Sequence, residues 1–284
     1  MATSALAQSS VPLASASGAP PTGIRARGLT KTYLTPDGDV HAVRGVDFDV
    51  VPGEILGLLG PNGAGKTTTL RILSTLIAPS AGDAWVAGAH VVRESALVRS
   101  RIGFLTSSTG VYDRLTPVEM MALFGRLNGM DAARIAARTA MIVRAFQMES
   151  FAERLCGQLS TGQKQKTSIA RTVIHDPPVL VFDEPLNGLD VLVARTVLDF
   201  LVASRAEGKT VIFSTHSLDL AERLCDRVAI IAGGELRFCG TPAAAMAGGH
   251  PTLEAAFFAL VGDVAREAAI SVPESSAPAP ETAR

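Results

Sequence analysis

Long apolar runs are missing from this 284-residue chain, and so is an excess of charge of either sign. Lys plus Arg number 26 and Asp plus Glu 27, and the formal net charge of -1 gives no general electrostatic drive toward nucleic acid or anionic lipid. That balance argues against a protein that coats DNA. The mean hydropathy of +0.28 hints at membranes, yet no stretch approaches the roughly 18 consecutive apolar residues of a spanning helix, so the chain is not expected to cross a bilayer. Cysteine is scarce. Cys156, Cys225 and Cys239 have neither C-x-x-C spacing nor a histidine at ligand spacing, so they read as idle thiols in a reducing cytosol. Residues 1–23 carry no charge and draw 18 positions from Ala, Ser, Pro, Gly and Thr. With no basic start and no solid apolar stretch, they are expected to be a flexible tail and not a secretory signal.

What is present is a core. Hydrophobic residues make up 47% of the chain against 19% charged, a packed globular balance. Short β-rich runs alternate with helical patterns, which predicts an α/β fold with a mostly parallel sheet. The opening differs: residues 24–34 and 40–51 flank Asp37-Gly38, a pair suited to a tight turn, and predict an antiparallel hairpin. A buried strand over EILGLLG should end in a Gly-rich loop and lead into a helix over 65–76, with further strands over 101–106, 179–182, 210–214 and 227–232. From Thr116 to about Phe151 the apolar residues recur at helical spacing, which predicts a helical insertion. Residues 126–171 hold eight Arg or Lys against three Asp or Glu. A solvated helical face explains that local charge most simply, and a surface for an acidic partner or a membrane interface is the functional alternative.

GPNGAGKTT at 60–68 fits G-x-x-x-x-G-K-[ST] between a strand and a helix. Glycines at 60, 63 and 65 let the loop take conformations closed to side chains and bring its amides onto a polyphosphate, while the helix contributes its positive end. Lys66 can reach the β and γ phosphates, and Thr67 offers a hydroxyl to Mg²⁺. PPVLVFDEP at 177–185 is an apolar run closed by two acids, as expected where a doubly covered strand ends at a ligand site. Successive strand residues point apart, so Asp183 is expected to hold the Mg²⁺ water shell and Glu184 to polarise the attacking water.

LSTGQKQK at 159–166, with Ser160 lying 23 residues before Asp183, resembles the signature sequence of the ATP-binding cassette (ABC) ATPases. The resemblance implies a P-loop (RecA-like) core with an N-terminal antiparallel β subdomain and an α-helical insertion at about 107–160. The cassette would cover 24–246, with a short helix and flexible tail over 247–284. It further implies that Tyr33 stacks on adenine, that Gly60, Pro61, Asn62, Gly63, Ala64, Gly65, Lys66, Thr67 and Thr68 cradle the phosphates of ATP, that Asp190 is the D-loop acid, and that His216 senses the γ phosphate beside the catalytic Glu184. Ser160, Thr161, Gly162 and Gln163 would face the nucleotide of a second cassette, so that two chains, identical or paralogous, clamp two ATP molecules head to tail.

Two positions depart from the family pattern. Ser107 falls where a magnesium-contacting glutamine is usual, which leaves a hydroxyl or a water for that contact, and Thr161 replaces a glycine. GFLTSSTGVYDRLTP with STGQKQK resembles the NatA-type subfamily of exporter ATPases, so both departures read as subfamily traits. The likeness implies a separate integral membrane permease gripping the region around Arg101 to Leu123, a peripheral location on the cytoplasmic face of the cell membrane, and no nucleic-acid partner. After 235–242 only a short helix is expected, which leaves no room for the extra β domain of many importers and favours export. The alternative is a soluble, non-transport ABC ATPase acting on nucleic acid or ribosomes, for which the neutral charge and lack of a heptad run speak poorly.

Overall fold

The computed structural model describes residues 22–36, 38–106 and 110–270, with side chains to residue 262. The turn residue Asp37, the predicted metal ligand Ser107 and most of both predicted tails lie outside the described residues. Two sheets organise the chain. Strands β1 (Ile24–Thr35) and β2 (Gly38–Val50) form the expected hairpin, closed by pairing of Thr35 with Gly38, and are followed in sequence by β3 (Ile55–Leu59) and helix α1 (Lys66–Leu73). β4 (Ala81–Val86) and β5 (Ala89–His90) complete an antiparallel sheet in the order β2-β1-β4-β5.

Helix α2 (Ser95–Arg101) leads to β6 (Ile102–Leu105). The helical insertion contains α3 (Pro117–Leu127) and α4 (Ala132–Ala145), and α5 (Thr161–Val173) returns the chain to β7 (Val179–Asp183). Then come α6 (Val191–Ala206), β8 (Thr210–Ser214), α7 (Leu218–Leu224), β9 (Arg227–Ala232), β10 (Glu235–Gly240), α8 (Pro242–Met246) and α9 (Leu253–Ile270). The second sheet runs β10-β9-β3-β8-β7-β6, parallel except for the β10 edge.

Every residue of β3, β7 and β8 is buried, because both faces of the parallel sheet are covered. The two-residue period of a strand divides those residues between two cores. Leu56, Leu58, Val181 and Ile212 pack with Ile24, Phe48 and Val86 of the antiparallel sheet and Leu70 of α1. Ile55, Leu180, Phe182 and Phe213 face the helices, where Met120, Ile135, Ile142 and Phe146 supply the apolar stripe of the insertion. Thr116 and Glu119 form a reciprocal capping box that starts α3. Three differences from expectation stand out: α1 ends at Leu73 and not near 76, β4, β5 and α2 fill residues 81–101, and α9 continues to Ile270.

Candidate functional site

The carboxyl ends of β3, β7 and β8 meet at one cleft of about 780 Å³, lined by Tyr33, Val40, Ala42, the loop residues 61–68, Glu184, Asn187 and His216. The loop crosses directly beneath β2. Gly65 has φ +105, and a Cβ there would collide with the Ala42 carbonyl oxygen, so glycine is required both by conformation and by space. Helix α1 begins with no side-chain cap and no acid in its first turn, which leaves its unpaired amides and positive dipole end available to an anion. The Lys66 ammonium is buried and folded back onto the loop, donating to Gly60 O at 2.7 Å and Pro61 O at 3.2 Å. Burial pushes its pKa down, against a smaller upward pull from Glu184 and Asp183.

Facing the loop, β7 and β8 end in register, Asp183 opposite Ser214, and their polar atoms form a continuous chain. Thr67 Oγ1 donates to Asp183 Oδ2 at 2.9 Å, and Ser214 Oγ donates to Asp183 Oδ1 at 2.6 Å. Ser214 Oγ in turn accepts the Glu184 N–H at 2.9 Å. Glu184 has φ +52, an unfavourable left-handed conformation for a side-chain-bearing residue, and its carboxylate has a different partner from those of Asp183. Glu184 Oε2 lies 2.7 Å from His216 Nδ1. An ionised carboxylate only accepts, so the proton of this bond resides on Nδ1. The oxygen pair of Thr67 and Asp183 suits a hard divalent cation such as Mg²⁺, which needs one or two protein oxygens and otherwise uses phosphates and water. No cluster of three or more His, Cys, Asp or Glu exists among the described residues, so a cage built wholly of protein ligands is absent from them.

Tyr33 reaches the cleft from β1, with Lys31 Nζ 5.3 Å from its ring centroid. The other predicted residues lie elsewhere. Ser160, Thr161, Gly162 and Gln163 open α5 outside the lining of this cleft, with Ser160 and Thr161 exposed. Ser160 Oγ accepts Gln163 N at 3.3 Å, and Gln163 Oε1 accepts Ser160 N at 3.0 Å, a second capping box. Asp190 caps α6 through Leu192 N and Val193 N, and Gly162 abuts Asp190 and Val193, so the signature and D-loop acid form one surface of their own. Lys166, buried behind that surface, has its pKa pushed down by desolvation, with Asp190 and Glu149 pulling it up.

Sequence reasoning overlooked Ser214, Asn187, Val40 and Ala42. A polar residue closing the apolar run TVIF was the available signal for Ser214, and Asn187 sits in the predicted D-loop. Nothing local marks Val40 or Ala42, which reach the cleft only because the antiparallel sheet lies over the loop.

Comparison with known proteins shows the family and the fold. The model of the ABC transporter family matches residues 43–187. The ABC transporter ATP-binding protein NatA of Bacillus subtilis (strain 168) is 42% identical over 202 residues, 71% of this chain and 82% of the relative. Nod factor export ATP-binding protein I of Paraburkholderia xenovorans (strain LB400) is 39% identical over 210 residues, 74% of this chain and 69% of the relative. A solved ATP-binding subunit of an ABC transporter superposes with a TM-score of 0.77 at 28% identity, covering 84% of this chain and 99% of its own. MJ0796, a bacterial ABC transporter cassette solved as a dimer, gives 0.70 at 26% identity over 77% and 98%. The same cassette in a post-hydrolysis state bound to ADP and Pi also matches, at 25% identity.

Proposed function

Because this chain belongs to the ABC transporter family and is an ATPase of that family, we propose that it is the ATP-hydrolysing subunit of an exporter, working beneath a separate integral membrane permease. The observation that carries the catalytic part is the hydrogen-bonded chain Thr67–Asp183–Ser214–Glu184–His216 at the mouth of the phosphate loop. The name of the Nod factor relative supports export.

The loop amides and the start of α1 receive the phosphates of ATP, Lys66 turns from the loop carbonyls toward the β and γ groups, and Tyr33 offers its ring to the adenine. Thr67 and Asp183 would hold Mg²⁺, which would supply positive charge against the phosphates. Glu184 takes the proton of the water whose oxygen attacks the γ phosphorus, as the bond to the ADP oxygen breaks. His216 fixes the Glu184 carboxylate by its Nδ1–H and turns its other ring nitrogen toward the γ phosphate. The transition state is reached mainly by positioning and charge stabilisation.

Ser160, Thr161, Gly162, Gln163 and Asp190 complete the site of a second cassette, identical or related. Differential affinity of ATP for the closed pair then supplies the work of closure, and hydrolysis releases it. The helical insertion docks the permease at the cytoplasmic face of the membrane, where this chain is peripheral. The test joins two measurements on the detergent-extracted protein: Mg²⁺-dependent ATP turnover, and identification of an integral membrane protein that co-purifies. Turnover without any membrane partner refutes the transport reading. Absence of turnover refutes the assigned site.

A further inference from the structure

The proposed hydrolysis depends on where His216 stands, and we infer that Glu222, through the C-terminal helix α9, sets that position, making it a positioning residue for the reaction. The inference rests on the ATPase reading above.

His216 precedes α7 with only Ser217 between them. Helix α7 has seven residues, about two turns, too few for a helix to hold itself, and Ser217 gives it no side-chain cap. On one side the loop borders a cavity of about 210 Å³ reaching Glu184, Asn187, Gly188 and Leu220, so close packing from the D-loop side does not fix it. Thr215 is held by its N–H to Leu58 O at 3.3 Å and Ser217 by its N–H to Thr215 Oγ1 at 3.0 Å, and the remaining support of α7 comes from the opposite side. Ala221 and Leu224 of α7 share a core with Leu253, Ala256 and Val261 of α9. Glu222 lies between them, and its Oε2 accepts the Leu253 N–H at 3.0 Å. Leu253 is the first residue of α9, so the carboxylate satisfies an otherwise unpaired amide and meets the positive end of an 18-residue helix. Thr252 satisfies a different amide, that of Ala255, at 3.2 Å.

Beyond α7 the chain is pinned separately. Asp226 Oδ2 accepts Ile55 N at 2.8 Å, and Cys225 Sγ lies where a side chain on Gly57 of β3 would have to go. With that end tied to the phosphate-loop strand and Glu222 tied to α9, the first turn of α7 has one position, and it places His216 Nδ1 2.7 Å from Glu184. Release of the Glu222 bond frees that turn to swing into the cavity.

The experiment compares full-length variants. Glu222→Gln keeps an oxygen that can accept from Leu253, whereas Glu222→Met keeps the length of the side chain and removes the acceptor. Steady-state ATP hydrolysis and NMR of ring-labelled histidine are measured on each. Glu222→Met is expected to lower kcat about five- to tenfold with KM for ATP changed less than about twofold, and to shift the His216 ring signals, because misplacement without contact to nucleotide costs turnover and not binding. Glu222→Gln should recover most of the rate. If Glu222→Met does not fold, Glu222→Asp, one methylene short of Leu253, carries the same expectation. A Met or Asp variant with unchanged kcat and unshifted His216 overturns the inference, as does an equal loss in the Gln variant. A wild-type chain with no turnover instead removes the ATPase reading beneath it.

Discussion

Replacing Ser214 by alanine cuts the one hydroxyl that joins the two acids of the site. Ser214 is fully buried, donates to Asp183 Oδ1 at 2.6 Å and accepts from Glu184 N at 2.9 Å. The substitution leaves a buried carboxylate oxygen and a backbone amide without these partners. A hydrogen bond to a charged group contributes about 1.5–3 kcal/mol and an ordinary one about 1, so a loss of about 2–4 kcal/mol follows, or a fall of about 5–10 °C in Tm. Catalysis should suffer as well. Glu184 is held at φ +52, a conformation costing roughly 1 kcal/mol, and its amide bond to Ser214 is part of what holds it there. Once that anchor is gone, the residue can relax and carry its carboxylate off the attacking water, lowering kcat about tenfold. Nucleotide affinity should stay within about twofold, because Lys66 and the loop amides are untouched. Thermal melts, ATP turnover and fluorescent-nucleotide titration measure the three quantities. A variant that melts within about 1 °C of the parent and turns over at its rate refutes the reasoning.

Glu184→Gln is expected to bind ATP normally, to slow hydrolysis by about 10²–10⁴-fold and to trap a closed pair visible by light scattering; full turnover would remove Glu184 as the base. Ser160→Arg should leave ATP binding by isolated chains intact and impair turnover, since its target is the partner's nucleotide, and an equal loss of binding at low protein concentration contradicts that. Asp176 gives a pH prediction. Burial alone raises its carboxyl pKa, but Lys209, whose Nζ lies 2.8 Å away, together with Arg138 and Arg134 outweighs burial and holds it below the ordinary value. A depressed acid stabilises the fold above its unfolded pKa of 3.8 and loses that contribution as pH falls through the lower folded value. Asp176→Asn should therefore destabilise at neutral pH and flatten the acid limb of a stability titration, and an unchanged limb would show that the cations do not act through this carboxylate.

The phosphate loop, both acids and the presence of the parallel strands were legible because each is encoded locally, whereas the order of those strands in the sheet was not. Glycine placement dictates the loop, and an apolar run ending in Asp183-Glu184 reads as a covered strand with a polar end, which points to a ligand site once it is paired with that loop. Elements lacking such a signature were not. The short strands β4 and β5 have little periodicity, and α2 has a single buried residue, Val98, so packing against β1 and β6 decides their form. The basic surplus over 126–171 also resolves only in three dimensions. Arg138 pairs with Asp176, Lys164 with Asp113, and Arg171 is buried over the Phe124 ring with its Nε unpaired. Much of that charge therefore holds the insertion together.

Sequence by itself determined which groups build the glycine-rich loop of the cleft, since backbone conformation at Gly63 and Gly65 and the chemistry of Lys66 and Thr67 are properties of neighbouring residues. Tertiary structure alone decided which distant groups act as one. Asp183 and Ser214 lie 31 positions apart, as do Glu222 and Leu253. Strand register makes the first pair and helix packing the second, and both depend on the whole core and on no local preference of the chain.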